Sequence, residues 1–73
     1  MLGLNIENRQ VVGQVVKEAL LEMTQRQLTC FVLSLIGLKQ SDMGWVLGIS
    51  QQSAGEHLRK SMEKVREISD NYL

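Results

Sequence analysis

The 73-residue chain has no proline, one cysteine, three aromatic residues and no excess of either charge. Without proline, nothing forbids helix at any position. The single cysteine, Cys30, excludes an internal disulfide, and within the apolar stretch from Leu28 to Ile36 its small thiol reads as a buried apolar group. Nucleophilic use of the thiol needs a basic partner, and the one histidine, His57, stands in another segment. No second His or Cys lies at ligand spacing from His57, so a half-buried polar contact is expected there and no metal. No apolar run is long enough to cross a membrane, and no charged stretch followed by an apolar one opens the chain. A reduced, cytoplasmic setting is therefore expected. Missing too are a Ser-His-Asp set, paired carboxylates on an apolar background and a phosphate-cradling glycine loop, so neither catalytic residues nor a cofactor is expected. Eight Lys plus Arg are balanced by eight Asp plus Glu, for a formal net charge of zero. That balance removes the broad positive field that carries most non-specific attachment to nucleic acid.

What is present is helical periodicity. With 44% apolar residues the chain can bury one small core, and residues 1–73 read as a single domain. Val12, Val15, Val16, Ala19, Leu20 and Met23 recur at helical spacing and predict a helix over about 7–22. Thr24 followed by Gln27 forms a capping box, and Gly37 supplies the left-handed residue that ends helices, which bounds a second helix at 25–36. A short third helix, about 40–47, carries Met43, Val46 and Leu47 and closes at Gly48. Ser50 caps a fourth helix over about 51–69, with Ala54, Leu58, Ser61, Val65 and Ile68 as its inward stripe. No strand pattern competes, so an all-α bundle of about four helices is expected. The four methionines, Met1, Met23, Met43 and Met62, suit adaptable packing.

A short helix, the turn Gly48-Ile49-Ser50 and a longer amphipathic helix form the pattern of a helix-turn-helix. In that motif the first turn of the second helix reaches base edges in the major groove, which makes Gln51, Gln52 and Ser53 the candidate reading residues. A glutamine pairs bidentately with adenine. Arg59 and Lys60 lie two turns on, where backbone phosphates run, and Glu56 can accept from a cytosine amino group against repulsion from phosphate. Glu56 paired with Lys60, and Glu63 with Arg59 or Arg66, would instead make a salt-laced exposed helix. Arg26, Lys39 and Gln40, at the starts of the preceding helices, are candidate phosphate contacts, and helix N-termini donate amides to phosphate without any charged side chain.

Residues 15–68 resemble sigma-factor region 4 and the LuxR/GerE regulators. The resemblance rests on Met23-Thr24, Arg26, Cys30-Phe31, Leu33, Gly37-Leu38, Met43, Leu47-Gly48-Ile49-Ser50, His57-Leu58 and Lys64-Val65. The preceding stretch from Val15 to Met23 is similar to the helix that leads into sigma region 4; the LuxR/GerE class would add a helix after the recognition helix. The resemblance implies a bacterial or phage transcription regulator that binds duplex DNA through the helix starting at Gln51. Because sigma region 4 also docks on RNA polymerase, the resemblance leaves a protein-binding adaptor or anti-activator as the alternative. The sequence departs from the scheme at Gly55, where a lysine is usual, at Gly44 for alanine, and at Lys39, where a Ser or Thr cap is usual.

A fourth departure is the apolar face Leu28, Val32, Leu35 and Ile36. With Cys30, Phe31 and Leu33 already inward, helix 25–36 is apolar nearly all round. Either the first helix covers that face through Val12, Val16 and Leu20, or a second copy or a transcription protein does. Trp45 reads first as a partly buried core aromatic and second as a docking handle. With no net charge, weak and salt-sensitive DNA binding is expected of a monomer, with affinity recovered by a homodimer or a partner.

Overall fold

The computed structural model describes residues 6–72. The chain runs through α1 (Ile6–Glu22), α2 (Gln25–Leu35), α3 (Gln40–Leu47) and α4 (Gln51–Tyr72), with no strand among the described residues. The all-α expectation holds. Met1 lies outside the described residues.

Helix α4 is the support on which the other three pack. At 1.5 Å per residue its 22 residues reach about 33 Å, most of the 40 Å long axis of a molecule measuring 40 × 22 × 14 Å. Its inward stripe is the one expected: Ala54, Ser61 and Ile68 are buried, and Leu58 and Val65 are half-buried between them. The helix runs three residues past its expected end, as far as Tyr72.

The ends of the helices follow local side-chain chemistry. Gln27 N–H donates to the Thr24 hydroxyl at 3.1 Å, and Thr24 N–H donates to Gln27 Oε1 at 3.1 Å, completing the capping box. Gly37 takes φ 97° just past the end of α2. There Gly37 N–H reaches the Ser34 carbonyl and Leu38 N–H the Leu33 carbonyl, both at 3.1 Å, satisfying acceptors that the helix end leaves open. Gly48 is the left-handed residue that closes α3. The Ser50 hydroxyl then accepts from Ser53 N–H at 3.0 Å and restarts the chain as α4. Lys39 gives α3 no side-chain cap; its own N–H donates to Asp42 Oδ2 at 3.2 Å.

The core divides into two clusters along α4. One joins α2, α3 and the first half of α4 through Cys30, Met43 and Ala54, with Leu33, Leu38, Leu47, Ile49 and Leu58 packed against them. The other joins α1 to the second half of α4 through Val15, Ala19 and Ile68, flanked by Val11, Met23 and Val65. The inward edge of α1 is thus Val11, Val15 and Ala19, continued by Met23 just past its end. Val12 and Val16, expected inside, are exposed, and Leu20 is half-buried. The reason is the partner: α1 packs mainly on α4, and a seam against one helix needs only a narrow stripe.

Two polar links fasten the α1 layer. The Tyr72 hydroxyl donates to Glu18 Oε1, and Lys64 reaches Glu22 at 3.7 Å while also pairing with Glu67. The Tyr72 hydrogen bond holds the Glu18 carboxyl below its ordinary pKa, helped by one from the Gln14 amide, and the same bond to Glu18 raises the tyrosine. A depressed carboxyl stabilises the fold above its unfolded pKa and loses that contribution as pH falls through the folded value. A raised phenol stabilises below its unfolded pKa and loses its contribution as pH rises through the folded one. The link is therefore weakened on both the acid and the alkaline side. Tyr72→Phe should move the Glu18 carboxyl titration, followed by side-chain carbon NMR, up toward the ordinary carboxylate range; an unmoved midpoint would count against the link.

Gly44 sets how closely α3 meets the start of α4. A Cβ at this position would lie 2.8 Å from the Ile49 carbonyl oxygen and 3.1 Å from Gln51 N, both backbone atoms that cannot swing aside. Gly44→Ala gains about 1 kcal/mol of helix propensity but forces an overlap of the kind that costs about 1–3 kcal/mol. The expected outcome is a net loss of up to about 2 kcal/mol, read by circular dichroism as a Tm lower by up to roughly 16 °C for a domain of this size. A Tm at or above that of the parent would show that the turn yields.

Candidate nucleic-acid interface

The site expected from the sequence is the outer face of α4 with the starts of α2 and α3. Gln51, Gln52 and Ser53 are all exposed in the first turn of α4, while Ala54 turns fully inward. A helix that buries one residue in its first turn presents its neighbours outward, so these three side chains form a polar tip at the α3–α4 corner. Ser53 N–H is taken by the Ser50 cap, which leaves the side chains of the tip available.

Gln40, the first residue of α3, comes to the same corner. Its side-chain oxygen lies 2.7 Å from where a Cβ on Gly55 would stand, so it rests directly on the second turn of α4. Arg26 and Lys39 are exposed at the starts of α2 and α3, and among the described residues no hydrogen bond or ion pair joins either to α4. The structure therefore gathers Gln40 with Gln51, Gln52 and Ser53, and does not tie Arg26 or Lys39 to them.

Electrostatics differ most from expectation in the middle of α4. The Arg59 guanidinium is held by two carboxylates on its own helix, Glu56 one turn back and Glu63 one turn on. Expected pairing of Glu56 with Lys60 is replaced by Glu56 with Arg59, because the forked guanidinium serves a carboxylate at each end and the ammonium does not. The Arg59 hydrogen bond and charge hold Glu56 below the ordinary carboxylate range, and Glu56, with Glu63, raises Arg59. All three side chains are more than half exposed, so the triad is a solvent-screened arrangement that sets charge locally and adds little stability. Lys60 is exposed and takes part in no ion pair among the described residues.

His57 is half-buried, and no cluster of three His, Cys, Asp or Glu side chains suited to a metal is found among the described residues. Cys30 is fully buried, and burial pushes its thiol pKa up.

The second apolar face of α2 is left open. Leu28 is half-buried, Val32 is exposed, and Leu35 and Ile36 expose 69% and 68% of their surface. The first helix does not cover this face, because α1 packs on α4. Trp45 exposes 86% of its surface and Val46 is exposed beside it, so the tryptophan is not a core aromatic. Met43, Gly44 and Leu47 occupy the inward side of α3. A residue two positions after Met43 is rotated about 200° away from it, which sends Trp45 to the outside.

Sequence reasoning missed three contacts: the Gln40–Gly55 seat, the Glu18–Tyr72 bond and the Lys64–Glu22 bridge. Only the glycine carried a signal, an unexplained helix breaker in an otherwise regular helix. No family model, curated protein or solved structure matches the chain.

The arrangement of Arg59 has a measurable consequence. Glu56→Gln combined with Glu63→Gln frees the guanidinium for phosphate. On a mixed-sequence duplex this double variant should steepen the dependence of log K on log salt by about one contact's worth, roughly 0.9. Fluorescence anisotropy at several salt concentrations checks it, and an unchanged slope would place Arg59 away from the phosphates.

Proposed function

We propose that this chain binds duplex DNA as a small transcription regulator, with α3, the turn Gly48–Ser50 and α4 acting as a helix-turn-helix of the sigma-region-4 kind. The observation that carries the reading is the corner itself. Gly44 lets α3 meet the start of α4 at backbone contact distance, Gly48 turns the chain, Ser50 caps α4, and the first turn leaves Gln51, Gln52 and Ser53 pointing outward. A rigid corner that presents amide side chains at a helix N-terminus suits base edges in the major groove. Lys60 and the α4 amides supply the backbone contacts, with Arg59 joining once released from its carboxylates. The site is local, so zero net charge lowers affinity without excluding binding. No described helix is long and apolar enough to cross a membrane.

A second reading, as an adaptor that binds RNA polymerase or another transcription protein or pairs as a homodimer, is favoured by particular side chains. Leu35, Ile36, Val46 and Trp45 are more than half exposed, and Arg59 is neutralised on its own helix. Exposed apolar groups of this size are what protein interfaces cover.

Amide NMR titration with a mixed-sequence duplex, at low and near-physiological salt, separates the two. DNA binding predicts shifts concentrated at residues 51–60 that shrink as salt rises. It also predicts that Gln52→Ala relaxes sequence preference, by the roughly 1–3 kcal/mol of a good base pair contact, while Lys60→Ala weakens all duplexes alike. A folded chain that shows no shift at low salt transfers the assignment to the protein-binding reading.

A further inference from the structure

Gly55 lies in the second turn of α4, where glycine costs about 1 kcal/mol against alanine. Backbone conformation does not require it: positive φ among the described glycines occurs at Gly37 and Gly48 alone. Space does. A Cβ at Gly55 would lie 2.7 Å from Gln40 Oε1, 3.1 Å from its Cδ and 3.6 Å from its Nε2. The contrast with Gly44 is informative. There the added carbon meets backbone, so the fold itself excludes it; at Gly55 it meets only the far end of a flexible side chain. What the glycine preserves is therefore the position of one carboxamide.

We propose that Gly55 is a seat for the Gln40 carboxamide, and that the amide held there is a fixed phosphate-binding group of the DNA-facing surface. The inference rests on the DNA-binding reading. Gln40 is exposed, and Gly55 stands one turn after Gln51 and Gln52, so the amide sits beside the polar tip. Its oxygen is the atom nearer Gly55 and its nitrogen the farther one, which leaves the two N–H donors for an external acceptor. Among the described residues no side chain or carbonyl accepts from them. The nearby Asp42 carboxylate is turned back on the Lys39 N–H. An acceptor at the flank of a reading helix is a backbone phosphate oxygen, bound here by an uncharged donor. Seating a long side chain in advance removes rotamer freedom that binding would otherwise have to remove.

The test uses the full chain, with Gln40→Ala, Gly55→Ala and the double variant. Anisotropy against several labelled duplexes measures binding, and thermal melts measure the fold. Each single variant should weaken every duplex alike by about three- to tenfold, the scale of one net hydrogen bond. Gly55→Ala should raise Tm while it weakens binding, since the amide swings away and the helix gains alanine. The double variant should bind no more weakly than either single one, because both remove the same contact. Undiminished binding by either single variant, additive losses in the double, or a lowered Tm for Gly55→Ala would overturn the seat and leave the DNA reading standing. A parent chain that binds no duplex at all would overturn the DNA reading, and this inference with it.

Discussion

The approach of α3 to the start of α4, closer than a methyl group at Gly44 allows, is the constraint from which the rest of the molecule follows. It fixes the angle of the short helix against the long one. That angle lets Met43 and Leu47 meet Cys30 and Ala54 in one cluster, and it turns Trp45 and Val46 out of it. It also carries Gln40 to Gly55. With α3 so placed, α2 shares the first half of α4 with it, and α1 is left to pack on the far half of the same helix. Close approach at small residues lets backbones act as packing surfaces, and Ala19, Ala54 and Ser61, all fully buried, repeat the device along the structure.

Charge is distributed with the same economy of position. Balanced totals do not give an evenly neutral surface. One arginine is neutralised within its helix by two carboxylates, one lysine bridges α4 to α1, and Lys60 takes part in no ion pair among the described residues. A surface arranged this way presents polar donors at the α3–α4 corner and little net field around it. On the proposed DNA-binding reading, recognition there depends on fitted contacts more than on long-range attraction. The cost would then fall on non-specific binding, and the gain would be selectivity among duplexes once contact is made.

Much of the fold was legible in the residues because local chemistry decided it. Thr24 with Gln27, Gly37, Gly48 and Ser50 each mark a boundary by satisfying backbone groups within a few residues, and all of them fall where expected. The stripe of α4 was equally plain. What could not be read was choice among apolar neighbours. Val11 and Val12, or Val15 and Val16, differ by a rotation of about 100°, and only the direction of the partner helix decides which goes inside. Trp45 was misplaced for a related reason: its size argued for burial, whereas the shortness of α3 and the tightness of its turn left no inward position for it. In the candidate site, the tip Gln51, Gln52 and Ser53 was visible as a cap followed by polar residues. The seat of Gln40 on Gly55 joins residues of two helices, and periodicity within one helix carries no information about such a pair.

The division of the core into two clusters strung along one helix bears on how the molecule opens. The outer cluster holds α1 by three buried residues, a tyrosine hydroxyl and a lysine bridge, while the corner cluster is knit from three helices. Fluctuations that detach α1 need not disturb the corner, so amide protons of α1 are expected to exchange with solvent through a shallower opening than those of α3 and the first half of α4. The two clusters make the corner the stiffer unit and α1 the looser one, and an opening that detaches α1 bares the apolar side of α4 without unmaking the surface at Gln51.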